Sequence, residues 1–118
     1  YHSNYLKFFE RARSSLLNLL NIDQVNMQEK NGVSLVVRKV NIIWHKPAKL
    51  NDCIIIETCL KYAKNSSITL CQNAFKFKHN KNNNLLVSGI VEIVAINSEF
   101  KVLRIGKIIN DAFFQNKY

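Results

Sequence analysis

The sequence predicts an α+β domain in which one long helix is wrapped by a curled antiparallel β-sheet. Three observations lead there. Helical periodicity is sustained only from Ser3 to about Asn21. Four extended runs of a dozen or more residues follow, and the connections between them are short. Such runs are longer than the usual strand of about five or six residues, and twist accumulating along them makes a sheet curl. A broad apolar helix face and a sheet that curls are complementary shapes.

The helix comes first. At about 100° per residue, Tyr5, Phe8, Phe9, Ala12, Leu16, Leu19 and Leu20 share one side. Leu6 and Leu17 widen that side to nearly half the circumference, and Lys7, Glu10, Arg11, Ser14 and Asn18 fall opposite. An arc this wide exceeds what a helix lying flat on a surface needs. Arg13 sits at its edge, placed to snorkel or to pair with an acid. Ser3 reads as the N-cap and Asn21 as the stop.

The extended runs are Val33–Lys46, Asp52–Lys64, Ser66–His79 and Leu85–Asn97, each rich in β-branched and aromatic residues. In the second, Ile54, Ile56, Thr58, Leu60 and Tyr62 form one face, against Cys53, Ile55, Glu57, Cys59 and Lys61. In the fourth, Leu85, Val87, Gly89, Val91, Ile93 and Ala95 alternate with Leu86, Ser88, Ile90, Glu92, Val94 and Ile96. The links Pro47–Asn51, Asn65 and Asn80–Asn84 imply that neighbouring strands are antiparallel. A short strand is expected around Phe100–Ile105 and a terminal helical turn at Asp111–Phe114. Ile55, Ile90, Val94 and Ile96 make the face turned from the helix apolar enough to be covered by a partner.

Composition narrows the function. The 118 residues make one domain, and 47% hydrophobic content supports a genuine core. The net charge of +9 invites an anionic partner, although 13 Lys against 4 Arg with abundant Asn and Ile is also what AT-rich coding produces. Cys53, Cys59 and Cys71 show no CxxC and no His at ligand spacing, which argues against a disulfide scaffold and a metal site. No run reaches the ~18 apolar residues of a membrane span. The first residues already carry helical pattern and charge, so no signal peptide is expected and the chain reads as cytoplasmic. Walker, GxGxxG, GxSxG and HExxH patterns are all missing from the sequence.

The candidate site is Tyr1-His2-Ser3-Asn4-Tyr5, a polar and aromatic cluster at the mouth of the helix. A helix start presents free N–H groups and a positive partial charge, which suits a carbonyl or anion in a sheltered place. His2 there can donate a hydrogen bond or handle a proton near neutral pH; it also reads as an ordinary capping histidine. His45 reads as a satisfied or exposed strand residue, and His79 belongs to a basic strand end running into an Asn-rich hairpin. Glu57 and Glu92 read as outward-facing or paired, and the cysteines as strand residues.

The stretch from Tyr1 through Glu10-Arg11-Ala12-Arg13 resembles the helix-entry motif of hotdog-fold acyl-CoA thioesterases. More narrowly it resembles the 4-hydroxybenzoyl-CoA thioesterase-like branch of the Tol–Pal-associated type. The likeness continues through Val36-Val37-Arg38, Lys46-Pro47-Ala48 with Leu50 and Asp52, Leu85-Leu86-Val87 and Leu103-Arg104-Ile105. Where the family usually continues with Pro, this chain has Gly106.

The resemblance implies a hotdog fold and hydrolysis of an acyl thioester of coenzyme A to free acid and thiol. It implies an Asp as nucleophile or base, with backbone N–H groups at the helix start polarising the carbonyl. That Asp and the family's first strand lie upstream of Tyr1, so residues 1–118 read as a single, N-terminally incomplete thioesterase domain, weak or inactive alone. His2 matches the family's histidine in an assisting role, and Tyr1, Ser3 and Asn4 become substrate-binding candidates. Tyr5 matches the motif's aromatic residue, or simply packs. No metal and no separate cofactor are implied, since coenzyme A is part of the substrate. Implied partners are a second or further copies of the chain, as a homodimer or homotetramer, and acyl carrier protein. Lys46, Lys49, Lys76, Lys78, Lys81 and Arg104 are candidates for coenzyme A phosphates or an acidic carrier. The alternative is a non-catalytic hotdog module that binds acyl-CoA or acyl carrier protein. Nucleic acid is not expected, because Lys7 and Arg11 share their helix face with Glu10.

Overall fold

A computed structural model describes residues 2–49, 51–77, 84–104 and 109, with side chains from residue 4 onward. Helix α1 spans His2–Leu19 and α2 Gln24–Asn31; strands β1 Ser34–Trp44, β2 Ile54–Ala63, β3 Ser67–Lys76, β4 Leu85–Ile96 and β5 Val102–Leu103 follow. The expected turn at Asp111–Phe114 lies outside the described residues.

α1 begins one residue before Ser3, so Ser3 lies within the first turn and not at the expected N-cap position. Burial of Tyr5 and Phe9 on the sheet anchors that turn. Its other end stops where expected. Asn21 takes φ 61°, Ile22 N–H reaches Leu17 C=O at 2.9 Å, and Asn21 N–H reaches Asn18 C=O at 3.0 Å. This is the left-handed close that Asn tolerates better than most side chains.

The sequence pattern leaves residues 22–32 unassigned, and the structure puts α2 there. Its eight residues bury none of their side chains, so there is no apolar stripe to read. Local capping defines it instead. Asp23 accepts from Asn26 N–H, and Gly32 at φ 65° closes the end with its N–H on Gln28 C=O.

The sheet runs β1-β4-β3-β2, antiparallel throughout, with β5 on β4 beyond the start of β3. The links at Asn65 and before Asn84 join paired antiparallel neighbours, as expected. The link after β1 does not: β1 and β2 lie at opposite ends of the path. His45 and Lys46 N–H both bond Leu86 C=O, at 2.8 and 3.2 Å, and Pro47 then offers no N–H to continue pairing. Ala48 packs against the cluster of Tyr5, Phe9, Ala74, Leu86 and Val87, so the link crosses at the end where α1 begins.

The helix lies against the inner face over two apolar clusters. One joins Leu16 and Leu20 to Ile68, Leu70, Val91 and Ile93; the other joins Tyr5 and Phe9 to Ala74, Leu86 and Val87. β4 follows the expected alternation only in part. Val87, Val91, Ile93 and Ala95 are buried, but so are Leu86 and Val94, which that alternation puts on the opposite face. Leu86 joins the inner cluster beside a register shift against β3. Gly89 allows the closest approach: a Cβ there would stand 3.3 Å from the Phe9 ring. Tyr62 departs from the expected inner face. The register slips between Leu60 and Tyr62, which turns Tyr62 outward, 45% exposed, while Ala63 packs inward.

Candidate active site

The start of α1 carries no acidic side chain in its first turn. The N–H groups that a helix start presents thus meet no carboxylate from that turn. Of the residues expected there, Tyr1 and the side chains of His2 and Ser3 lie outside the described residues, and Asn4 is exposed. Tyr5 is buried, edge-on to Phe8 with ring centroids 6.2 Å apart. Its hydroxyl has no hydrogen-bond partner among the described residues. Burial, and then the charge of Asp52, raise its pKa.

About 9 Å along the axis from the helix start, α1 and β2 line an open cavity of about 350 Å³. Phe8, Ala12, Ile54 and Ile56 form its apolar walls, with Arg11 and Asp52 as its charged groups. This is the size and chemistry of a pocket for a small aliphatic or aromatic group. The sequence pattern puts Arg11 on the solvated face; its long side chain reaches the rim nevertheless.

Asp52 is the acid of this cavity, and both its oxygens are engaged. Oδ2 accepts from Lys49 N–H at 2.7 Å, and Oδ1 meets Lys76 Nζ at 3.1 Å. The Lys49 N–H first, and then Lys76, hold the carboxyl below the ordinary aspartate range. A carboxylate so occupied is a poor nucleophile; it pins the turn before β2 to the end of β3. The same pair removes Lys76 from the free phosphate-binding candidates. Lys49 and Arg104 stay exposed, Lys46 is exposed but has a partner of its own, and Lys78 and Lys81 lie outside the described residues.

A buried polar cluster behind the cavity is invisible to pattern reading. Gln72, fully buried on β3, donates from Nε2 to Phe9 C=O and to Thr58 Oγ1, both at 2.9 Å. Its Oε1 accepts from Arg13 Nη1 at 2.8 Å. Arg13 thus pairs with an amide and not with an acid. The remaining polar candidates are structural. His45 Nε2 lies 2.8 Å from Ser88 Oγ at an exposed position, and Glu92 pairs with Arg38 at 2.9 Å. Glu57 is exposed, and His79 lies outside the described residues. Among the described residues no group of three His, Cys, Asp or Glu could hold a metal ion. No helix there is long and apolar enough to cross a membrane.

A sequence model of the Thioesterase-like superfamily matches residues 1–104, from the helix entry through all four long strands. The chain belongs to the thioesterase-like superfamily. Among its relatives is the acyl-CoA thioesterase YbgC of Haemophilus influenzae, 30% identical over 118 residues, covering 99% of this chain and 83% of that one. The acyl-CoA thioester hydrolase YbgC of Escherichia coli O6:H1 is 30% identical over 96 residues, or 81% and 68% of the two chains. Among solved structures, a DHNA-CoA thioesterase from Staphylococcus aureus superimposes with a TM-score of 0.81 at 22% identity, covering 99% and 78% of the two chains. A 1,4-dihydroxy-2-naphthoyl-CoA thioesterase from Synechocystis reaches 0.84 at 16%, covering 100% and 85%. The wrapped helix is therefore the hotdog fold, here with a second helix and an open sheet. The resemblance to the Tol–Pal-associated branch agrees with the YbgC name of these superfamily relatives.

Proposed function

We propose that this protein is an acyl-CoA thioesterase, transferring water across the thioester to release a carboxylic acid and coenzyme A. The match across residues 1–104 carries the reading. The start of α1, with no acidic residue in its first turn, supports it chemically: N–H groups that polarise the thioester carbonyl also stabilise the oxyanion formed when a nucleophile adds. The cavity of Phe8, Ala12, Ile54 and Ile56 would hold the acyl group. In this reading the nucleophile or base is the Asp expected upstream of residue 1, His2 assists, and Tyr1, Ser3 and Asn4 line the reacting end. Exposed Lys49 and Arg104 would meet the phosphates of coenzyme A or an acidic carrier protein.

We further propose that the domain works as a homodimer or homotetramer. β1 is an edge strand of 11 residues that exposes Val37, Val40, Ile43 and Trp44. Unpaired edges with apolar side chains favour pairing with another copy. A monomeric mass at micromolar protein would overturn this.

The test of activity is hydrolysis of an acyl-CoA panel by protein carrying its upstream segment, followed by thioester absorbance. Turnover should vanish when the upstream Asp becomes Asn, and residues 1–118 alone should be weak or inactive. The alternative is a non-catalytic acyl-CoA or acyl-carrier-protein module, since Asp52, the cavity's acid, is occupied on both oxygens and leaves catalysis to the upstream Asp alone. Saturable acyl-CoA binding without turnover in the longer protein would establish that reading instead.

A further inference from the structure

We propose that Cys59 and Cys71 are a cross-strand dithiol that closes to a disulfide, a modification site on the sheet face turned away from α1. The two residues are direct partners in the β2–β3 register. Their neighbours, Thr58 and Gln72, form the adjacent pair, and Gln72 points at the helix through its bond to Phe9 C=O. Side chains alternate along a strand, so Cys59 and Cys71 share the opposite face. Both are free; Cys59 is exposed and Cys71 half-buried. Burial first, and then the neighbouring Cys71, raises the pKa of Cys59.

Direct cross-strand pairing sets the two residues at about the separation a disulfide spans. Directly opposed residues on antiparallel strands hold their Cβ atoms about 4.5–5.5 Å apart. A disulfide prefers about 3.5–4.5 Å. Closure therefore asks the strands to tighten slightly, and strained, accessible bridges are the readily reduced ones. Tightening falls beside the Thr58–Gln72 pair that fastens α1. Cys53 is the built-in contrast: it is exposed too, but it precedes β2, and its carbonyl pairs with Phe77, which carries no thiol.

The oxidant required is a small disulfide of the glutathione type. The Cys59 thiolate attacks one of its sulfurs, forming a mixed disulfide and expelling one small thiolate. Cys71 then attacks Cys59 Sγ and expels the second. The two cysteines lose two electrons, the small disulfide gains them, and the protons from both protein thiols end on the two small thiols.

The experiment uses the full chain with Cys53→Ser, equilibrated with graded mixtures of reduced and oxidised glutathione, read by thiol titration and intact mass. Both remaining thiols should disappear together, with loss of two hydrogens and no adduct. Adding Cys71→Ser should instead leave a stable glutathione adduct on Cys59. Three results would overturn the proposal: an adduct on Cys59 beside a free Cys71, disulfide-linked dimers on a non-reducing gel, or no reaction of Cys59 in either protein.

Discussion

Gln72 donates to the main-chain carbonyl of Phe9 at 2.9 Å, tying the middle of α1 to the centre of the sheet. The same amide holds Thr58 and receives Arg13, so one side chain joins α1, β2 and β3. Helix position in this fold thus rests on a buried polar contact as well as on apolar packing.

Truncating that side chain should be costly. Gln72→Ala leaves the Arg13 guanidinium and Thr58 short of a partner and opens a void. A destabilisation of about 2–4 kcal/mol is expected from the lost charge-assisted bond and the unsatisfied groups. Urea unfolding midpoints of the two proteins check it. Gln72→Glu, which keeps an acceptor for Arg13 but loses the donor to Phe9, should fall between.

Asp52 should confer a pH-dependent stability. Its folded pKa is depressed by Lys49 N–H and Lys76. The folded state therefore binds fewer protons than the unfolded chain, and stability rises with pH through this window. The contribution is complete above the ordinary aspartate pKa of about 3.9 and disappears as pH falls through the lower folded value. Asp52→Asn should accordingly be less stable than the parent at pH 7 and converge with it in acid. Thermal melts of both proteins across that range read the difference directly.

Tyr5 offers the opposite sign. Its hydroxyl is buried without a partner among the described residues, a cost that Phe removes without changing shape. Tyr5→Phe should leave stability unchanged or raise it by up to about 1 kcal/mol. A measured loss of stability would mean that the hydroxyl is held by something outside the described residues.

His2 should matter for turnover and not for folding. In protein carrying the upstream segment, His2→Ala should lower kcat/KM by about 10²-fold with an unchanged melting temperature. Its pH–rate profile should also lose the limb near neutrality that a histidine supplies. Loss of the fold in this variant would assign His2 a capping role instead.

Much of the architecture was legible in the residues themselves. Tyr5, Phe9, Leu16 and Leu20 recur at helical spacing and form the buried side of α1; Val87, Val91, Ile93 and Ala95 recur at strand spacing and face it. Asn21 marks the stop because its left-handed tolerance is a property of one residue. Periodicity and capping are local, so they survive in a linear string.

The tertiary structure alone decided what depends on pairing. Thr58 and Gln72 lie 14 positions apart, Arg13 and Gln72 59 apart, and no local pattern records that they meet. The slip after Leu60 turned Tyr62 outward because register is settled by the whole sheet and one extra residue reverses the side-chain alternation. β1 left β2 for β4 although their link is short, and topology delivered Lys76 to the Asp52 oxygen that the local Lys49 N–H leaves over. Composition and spacing determined which elements form and which sides are apolar. Register and strand order, set by the energy of the assembled core, determined which polar atoms are left free to do chemistry.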